Sequence, residues 1–217
     1  MKKIFVGIAA GPGIGIATAA RFAREGFAVV LASRTARKVD ALAHELRAKG
    51  YEAEARTVDA GDPASVARLI AEVEADHGAI DVIHYNGASL RMADLDAQPN
   101  DAIIGDLALN VGGALAAVKA VVPGMTEKGS GTILINCGGF AFYPSADFLT
   151  LSMGKAALRA MALALAPVLE PKGVRIASLH VMGVVKPEDA VAIGDEFWKL
   201  YSCPADRFVP EVNYTPV

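Results

Sequence analysis

Between an apolar run ending at Ile8 and an amphipathic stretch running from Ile16 to Glu25 lies Ala9-Ala10-Gly11-Pro12-Gly13-Ile14-Gly15. Glycines at a strand-to-helix turn let the backbone bend sharply and approach a pyrophosphate, whose charge is stabilised at the helix N-terminus. The spacing is not G-x-G-x-x-G, because the third glycine comes one residue early, and Pro12 removes one N–H donor. A purely structural tight turn is the competing explanation. Metal chemistry has less support: His44, His77, His84 and His180 form no pair with ligand spacing, and Cys137 and Cys203 stand far apart. His84 and His180 fall in strand-like runs, where a packed, hydrogen-bonded histidine is the usual outcome.

The elements that must position such a turn alternate along the whole chain. Strands are expected at Lys3–Ile8, Phe27–Ala32, Glu52–Val58, Ile80–Tyr85, Thr132–Cys137 and Val174–Val181, with a seventh at Arg207–Tyr214 weakened by Pro210. Helices are expected at Gly13–Glu25, Ala36–Lys49, from Asp62-Pro63 onward, Asp101–Lys128, Thr150–Leu169 and Ala190–Tyr201, with Pro167 kinking or ending the fifth. Asp62 reads as an N-cap with Pro63 at the first helical position. Strands apolar on both faces, alternating with helices, imply an α/β fold: one doubly wound, parallel, six- to seven-stranded sheet covered on both sides, binding ligands at the carboxyl ends of its strands.

Length and composition agree with a single domain over residues 1–217. Hydrophobic residues are 53% and charged residues 21% of the chain, enough for a large core and incompatible with disorder. A net charge of -3 gives no basis for a nucleic-acid partner or an anionic membrane. No apolar run reaches the roughly 18 residues of a membrane span. Two cysteines fit a reducing, cytoplasmic setting. The start, Met1-Lys2-Lys3 before Ile4–Ala10, imitates a secretory signal, but Gly11-Pro12-Gly13 breaks it early and the helical pattern then continues, which favours a buried first strand.

Taken together, these features resemble the short-chain dehydrogenase/reductases, a Rossmann-type family, over essentially the whole chain. The family's glycine motif is T-G-x-x-x-G-I-G; Gly13-Ile14-Gly15 matches its end, Ile8 and Ala9 replace Thr and Gly, and Ala10 and Gly11 fall inside it. Gly11 is expected to supply the flexibility lost at Ala9. The resemblance assigns Asp59, followed by Ala60, to adenine contact. It matches Asn86-Gly87-Ala88 to the Asn-Ala-Gly turn, Asn110-Val111-Gly112 to Asn-x-x-Gly, Lys155 to the active-site Lys, and Met182-Gly183-Val184 to the Pro-Gly turn. It implies a nicotinamide cofactor contacted by Ala10, Gly11, Gly13, Ile14, Gly15, Ser33, Arg34, Asp59, Ala60, Asn86, Gly87, Lys155, Gly183 and Val184. Ser33-Arg34 after the second strand, with no acid there, favours NADP over NAD, since a guanidinium holds a 2′-phosphate where a carboxylate would hold a ribose diol. Lys38 lies one helical turn further.

The catalytic positions depart from the family. Its Tyr-x-x-x-Lys reads Leu151-Ser152-Met153-Gly154-Lys155, and its Ser position reads Gly138 or Gly139. Asn110 and Lys155 remain, and Tyr143 is the nominated replacement acid, against the simpler picture of an aromatic plug with Phe140 and Phe142. Ser152, one residue from the lost Tyr, is expected to face elsewhere. Trp198 and Phe197 are expected in a pocket wall or in the core. Val184-Val185-Lys186-Pro187 leads almost directly into the last helix, so the substrate lid is short or absent. The resemblance implies hydride transfer between nicotinamide and a small carbonyl or alcohol substrate, in a homodimer or homotetramer paired through the Asp101–Lys128 and Lys155 helices. A catalytically degenerate NAD(P)-binding sensor or scaffold is the alternative.

Overall fold

A computed structural model describes residues 2–216. Seven strands form one parallel sheet: β1 (Ile4–Ile8), β2 (Ala28–Ser33), β3 (Ala53–Thr57), β4 (Val82–Tyr85), β5 (Gly131–Gly138), β6 (Val174–Val181) and β7 (Glu211–Tyr214), in the order β3-β2-β1-β4-β5-β6-β7. The order reverses between β1 and β4, where a crevice opens beyond the strand ends. Alternation within a strand divides the core. Ile4, Val6 and Ile8 of β1 face one layer, built from α3 (Pro63–His77), α5 (Gly113–Lys128) and α6 (Leu149–Leu169). Phe5 faces the other, built from α1 (Ile14–Arg24), α2 (Ala36–Ala48) and α7 (Asp189–Ser202). Both faces of the sheet are therefore covered, which is why its strands read as continuous apolar runs.

Local chemistry sets the helix ends. Asp62 accepts a hydrogen bond from the Ala64 N–H at 3.0 Å, with Pro63 in the first turn. The expected helix Asp101–Lys128 is interrupted: α4 spans Asn100–Leu107, a wide π turn covers Ala108–Gly112, and α5 follows. The turn is anchored by the buried Tyr85 hydroxyl, which donates to the Leu109 carbonyl at 2.5 Å. Gly113 lets the chain pass beneath the Ala60 carbonyl, where a Cβ would overlap. Pro167 neither ends α6 nor sets its boundary; the helix runs to Leu169 and closes with a tight turn at Glu170–Lys172. The seventh strand is shorter than expected. Residues Ala205–Arg207 form a separate turn, and β7 starts only after Pro210, whose carbonyl accepts from the Ser178 N–H.

Two helical stretches, Asn100–Lys128 and Leu149–Lys172, are apolar and long enough to span a membrane by length and composition, contrary to the sequence expectation. In the fold they lie on one face of the sheet, with 33% and 39% of their apolar windows buried. Trp198 and Phe197 join the core around Phe22 and Phe27 and line no part of the crevice.

His84 is buried between Phe5 and Phe197, and neither ring nitrogen has a partner among the described residues, so it is packed but not hydrogen-bonded. Burial pushes its pKa down to about 3. His180 is also lowered, chiefly by burial, although Ser178 reaches its Nε2 at 2.9 Å. A group protonated more readily unfolded than folded takes stability away as pH falls below its unfolded pKa. Here that window runs from about 6.5 down to about 3, at up to about 1.4 kcal/mol per pH unit. Urea unfolding at pH 7 and pH 5 is expected to show a loss at pH 5 that His84→Leu reduces; an equal loss in both proteins would contradict this account.

Candidate active site

A cavity of about 740 Å³ opens where the carboxyl ends of β1, β4, β5 and β6 meet. Its wall takes Gly13 and Ile14 from the glycine turn, Asn86 and Ala88 after β4, Asn136 to Phe140 and Tyr143 at the end of β5 and beyond, Leu151 and Lys155 from α6, and Met182 to Val185 after β6. This volume is within the range of small-molecule sites.

The glycine turn leaves the start of α1 without a side-chain cap, so its first N–H groups are available to an anion. Gly15 packs against the Ala10 backbone and the Asn86 amide, where a side chain would crowd. Gly11 and Gly13 have open space on the side a Cβ would occupy. The left-handed residue is Ala9, at φ 55, and Gly11 has no positive φ, so the compensation expected at Gly11 does not occur. Ala9 carries the strain itself, held by bonds from Ala10 N–H to the Ala32 carbonyl and from the Asn86 side chain to the Ala9 carbonyl.

Lys155 is buried, and its ammonium donates to the Asn136 carbonyl at 2.9 Å. Burial holds its pKa below the usual lysine value, partly offset by the neighbouring Cys137 thiol. Burial in turn raises the pKa of Cys137. Asn136 also donates through its side chain to the Asn86 Oδ1 at 2.6 Å, while its own Oδ1 is a buried acceptor without a partner among the described residues. Asn136 was not singled out from sequence; the signal available was a lone amide after Ile133-Leu134-Ile135. An ammonium with a single hydrogen bond to the protein fits a hydroxyl-bearing ligand such as a ribose.

Asn110 occupies the π turn and stays behind the wall. Its Oδ1 accepts from the Ser89 N–H at 2.6 Å, and its Nδ2 donates to the Thr150 carbonyl at 3.2 Å. Gly154 makes room for it. This is a positioning role, one residue from Lys155. Behind it, Asp106 accepts from Arg91, Ser89 and Thr150, and the Arg91 guanidinium holds its carboxyl below the usual range.

Leu151 forms part of the wall, and Gly138 and Gly139 supply no hydroxyl. Ser152 turns away, its hydroxyl accepting from the Ser145 N–H. Tyr143 is 73% exposed at the cavity edge and does not plug it. Phe140 stacks instead on Phe148, and Phe142 packs against His180 and Arg159. Gly183 takes φ 113, a conformation few side chains tolerate, and Val184 beside it is exposed.

A second, polar depression of about 330 Å³ lies past the β2 and β3 ends, lined by Arg34, Asp59, Ser65 and Arg68 among others. Asp59 shapes its own turn by accepting from Gly61 N–H at 3.0 Å. Ser33 ends β2 beside Thr57, and Ala60 is buried under the π turn. Gly87 is buried against the Tyr85 ring. Lys38 is not among the lining residues. Arg68 was missed from sequence, since on a helix surface it looks like any solvated charge.

Comparison with known proteins agrees with this geometry. A family model described as short chain dehydrogenase matches residues 3–193. The protein named dehydrogenase/reductase SDR family member 4 of Pongo abelii is 31% identical over 189 residues, covering 85% of this chain and 66% of that protein, and its Homo sapiens counterpart matches equally. The chain thus spans about two thirds of the length of these relatives. The crystal structure of a metagenomic short-chain oxidoreductase in complex with NADP superposes with a TM-score of 0.91 at 26% identity, covering 99% of this chain and 97% of that one. A short-chain dehydrogenase from Rhodopseudomonas palustris shares the fold at a TM-score of 0.90 and 23% identity.

Because Ala9 pays for a conformation that glycine adopts freely, Ala9→Gly is expected to stabilise the protein by about 0.5–1 kcal/mol, with Gly11→Ala close to neutral. Chemical denaturation of both variants checks the pair; the reverse ranking would place the strain elsewhere.

Proposed function

The chain belongs to the short-chain dehydrogenase family, and from that premise we propose that it is an NADP-dependent oxidoreductase acting on a carbonyl or alcohol substrate. The observation that carries the proposal is the convergence, in one cavity, of an uncapped helix N-terminus, the Asn136 acceptor and the buried Lys155 ammonium. The NADP complex of a structural neighbour supports the cofactor assignment.

On this reading the turn from Ala10 to Gly15 receives the pyrophosphate, and Asp59 and Ala60 border the adenine. Ser33, Arg34 and, added from the structure, Arg68 receive the 2′-phosphate. The depression carries two guanidiniums, Arg34 and Arg68, alongside the carboxylates Asp59 and Glu72, and a planar guanidinium fork is the group that holds a phosphate there. Lys155 and Asn136 hold ribose hydroxyls, and Asn86, Gly87, Gly183 and Val184 frame the nicotinamide end. When bound, the cofactor supplies or accepts the hydride. The remaining task is to give a proton to the carbonyl oxygen, and the only phenol in the cavity wall among the described residues is Tyr143. Asn110 acts through α6, keeping Lys155 in place. Lys155, in turn, adds positive charge beside the developing alkoxide.

A second reading has its own observation. Leu151 stands in the wall where the family has its proton donor, and Leu151 can donate nothing. A chain that binds the cofactor but transfers no hydride would serve as a sensor or scaffold.

Titration calorimetry with NADPH and NADH distinguishes these possibilities in stages. Binding of NADPH at least tenfold tighter than NADH, with Arg34→Asp abolishing the preference, is expected; no binding of either dinucleotide ends the proposal. Hydride transfer to a carbonyl panel, cut at least a hundredfold in Tyr143→Phe, is expected of the enzyme, whereas binding without transfer supports the second reading. We also propose pairing through α4–α5 and α6, whose outer surfaces leave Leu115, Met153 and Leu163 exposed; a monomeric mass by light scattering at micromolar concentration would exclude it.

A further inference from the structure

The substrate side of the cavity carries a chemical preference of its own. Away from the glycine turn, its wall is made of Leu90, Phe140, Leu151, Val181, Met182 and Val185. Lys155 is the only charged side chain in the whole wall among the described residues, and its ammonium is committed to Asn136 and, on the proposed function, to the ribose. Among the described residues, no carboxylate and no arginine line the cavity. Large apolar side chains at the mouth stay uncovered: Leu90 is 74% and Val184 86% exposed. Residues 182–188 pass directly from β6 into α7, so no helix or long loop covers them.

We infer that this site takes an uncharged, lipophilic carbonyl or alcohol, with its reactive end toward Tyr143 and Lys155 and its apolar body along Phe140, Met182 and Leu90 out to the mouth. The inference rests on the proposed function and adds the substrate class to it. Two physical arguments lead there. A carboxylate or phosphate held within the wall, short of the mouth, would lose water without meeting a partner, which is strongly unfavourable. An apolar body, by contrast, gains from every methylene it removes from water against these side chains. The open mouth sets no sharp upper limit on length, so affinity should climb along a homologous series and not collapse after a few carbons.

The test is calorimetric and independent of turnover. Protein saturated with NADP⁺ is titrated with unbranched 2-ketones from five to nine carbons, and with the corresponding keto acids bearing a terminal carboxylate. Affinity is expected to rise about fourfold per methylene and, for the five-carbon pair, whose carboxylate stays within the wall, to fall at least tenfold on adding the carboxylate. Leu90→Ser, a change on an exposed loop, is expected to flatten the rise for the longest ketones while NADP⁺ binding stays as it was. Equal affinity across the ketones, or a five-carbon keto acid that binds as well as its ketone, would overturn the inference. So would a Leu90→Ser protein that changes its mass in solution but keeps the slope, because the apolar mouth would then belong to a subunit contact. Failure to bind NADP⁺ appears before any ketone is added, and counts against the proposed function separately.

Discussion

One buried amide ties the site together. Asn110 sits in the π turn between α4 and α5, accepting from the backbone after β4 and donating to the first turn of α6. Three segments distant in sequence are thereby joined by a side chain with no water to compete for it, and both of its polar ends are satisfied. The clamp needs Gly154, because any side chain there would collide with Asn110. Lys155 is the next residue. The ammonium that faces the cavity is therefore placed by a contact made on the other side of the wall.

Around that clamp, several unfavourable terms are tolerated together. Ala9 adopts a left-handed conformation, Lys155 is desolvated with a single protein hydrogen bond, and Asn136 retains an orphan acceptor. Each costs free energy in the ligand-free protein, and all lie on the same crevice. The polar network of Asp106, Arg91, Ser89 and Thr150 braces the opposite side of the π turn. A left-handed alanine and a desolvated ammonium near one crevice are costs of the kind that a site prepared for a ligand carries.

The alternation of strands and helices was readable because a parallel sheet covered on both faces forces uninterrupted apolar runs, and those runs punctuate this chain clearly. The glycine turn was readable from type and spacing, and Lys155 only through the family resemblance. Other features depend on contacts that one sequence does not display. The π turn looks like ordinary helix, since its cause is the Tyr85 hydroxyl reaching Leu109 from a distant strand. Gly11 was expected to supply the flexibility lost at Ala9, yet the left-handed conformation falls on Ala9 itself, within the hydrogen bonds around it. Tyr143 was weighed as an aromatic plug, but Phe148 and His180 take its neighbours as partners and leave it at the edge. Arg68 and Asn136 acquire meaning only once the strand ends are brought together.

The brevity of the passage from β6 to α7 also bears on solvent. Hydride chemistry is helped by a reacting centre cleared of water, because the surrounding dipoles then act at low dielectric. Enzymes with a mobile cover achieve this by folding protein over the ligand. Residues 182–188 provide too little chain for that, and α7 is held against α1 at Gly194, where the Ala17 backbone leaves no room for a side chain. On the proposed function, drying of the centre therefore falls to the body of the bound molecule, which stops the opening like a cork. Dielectric at the reacting carbon then becomes a property of the guest as much as of the host.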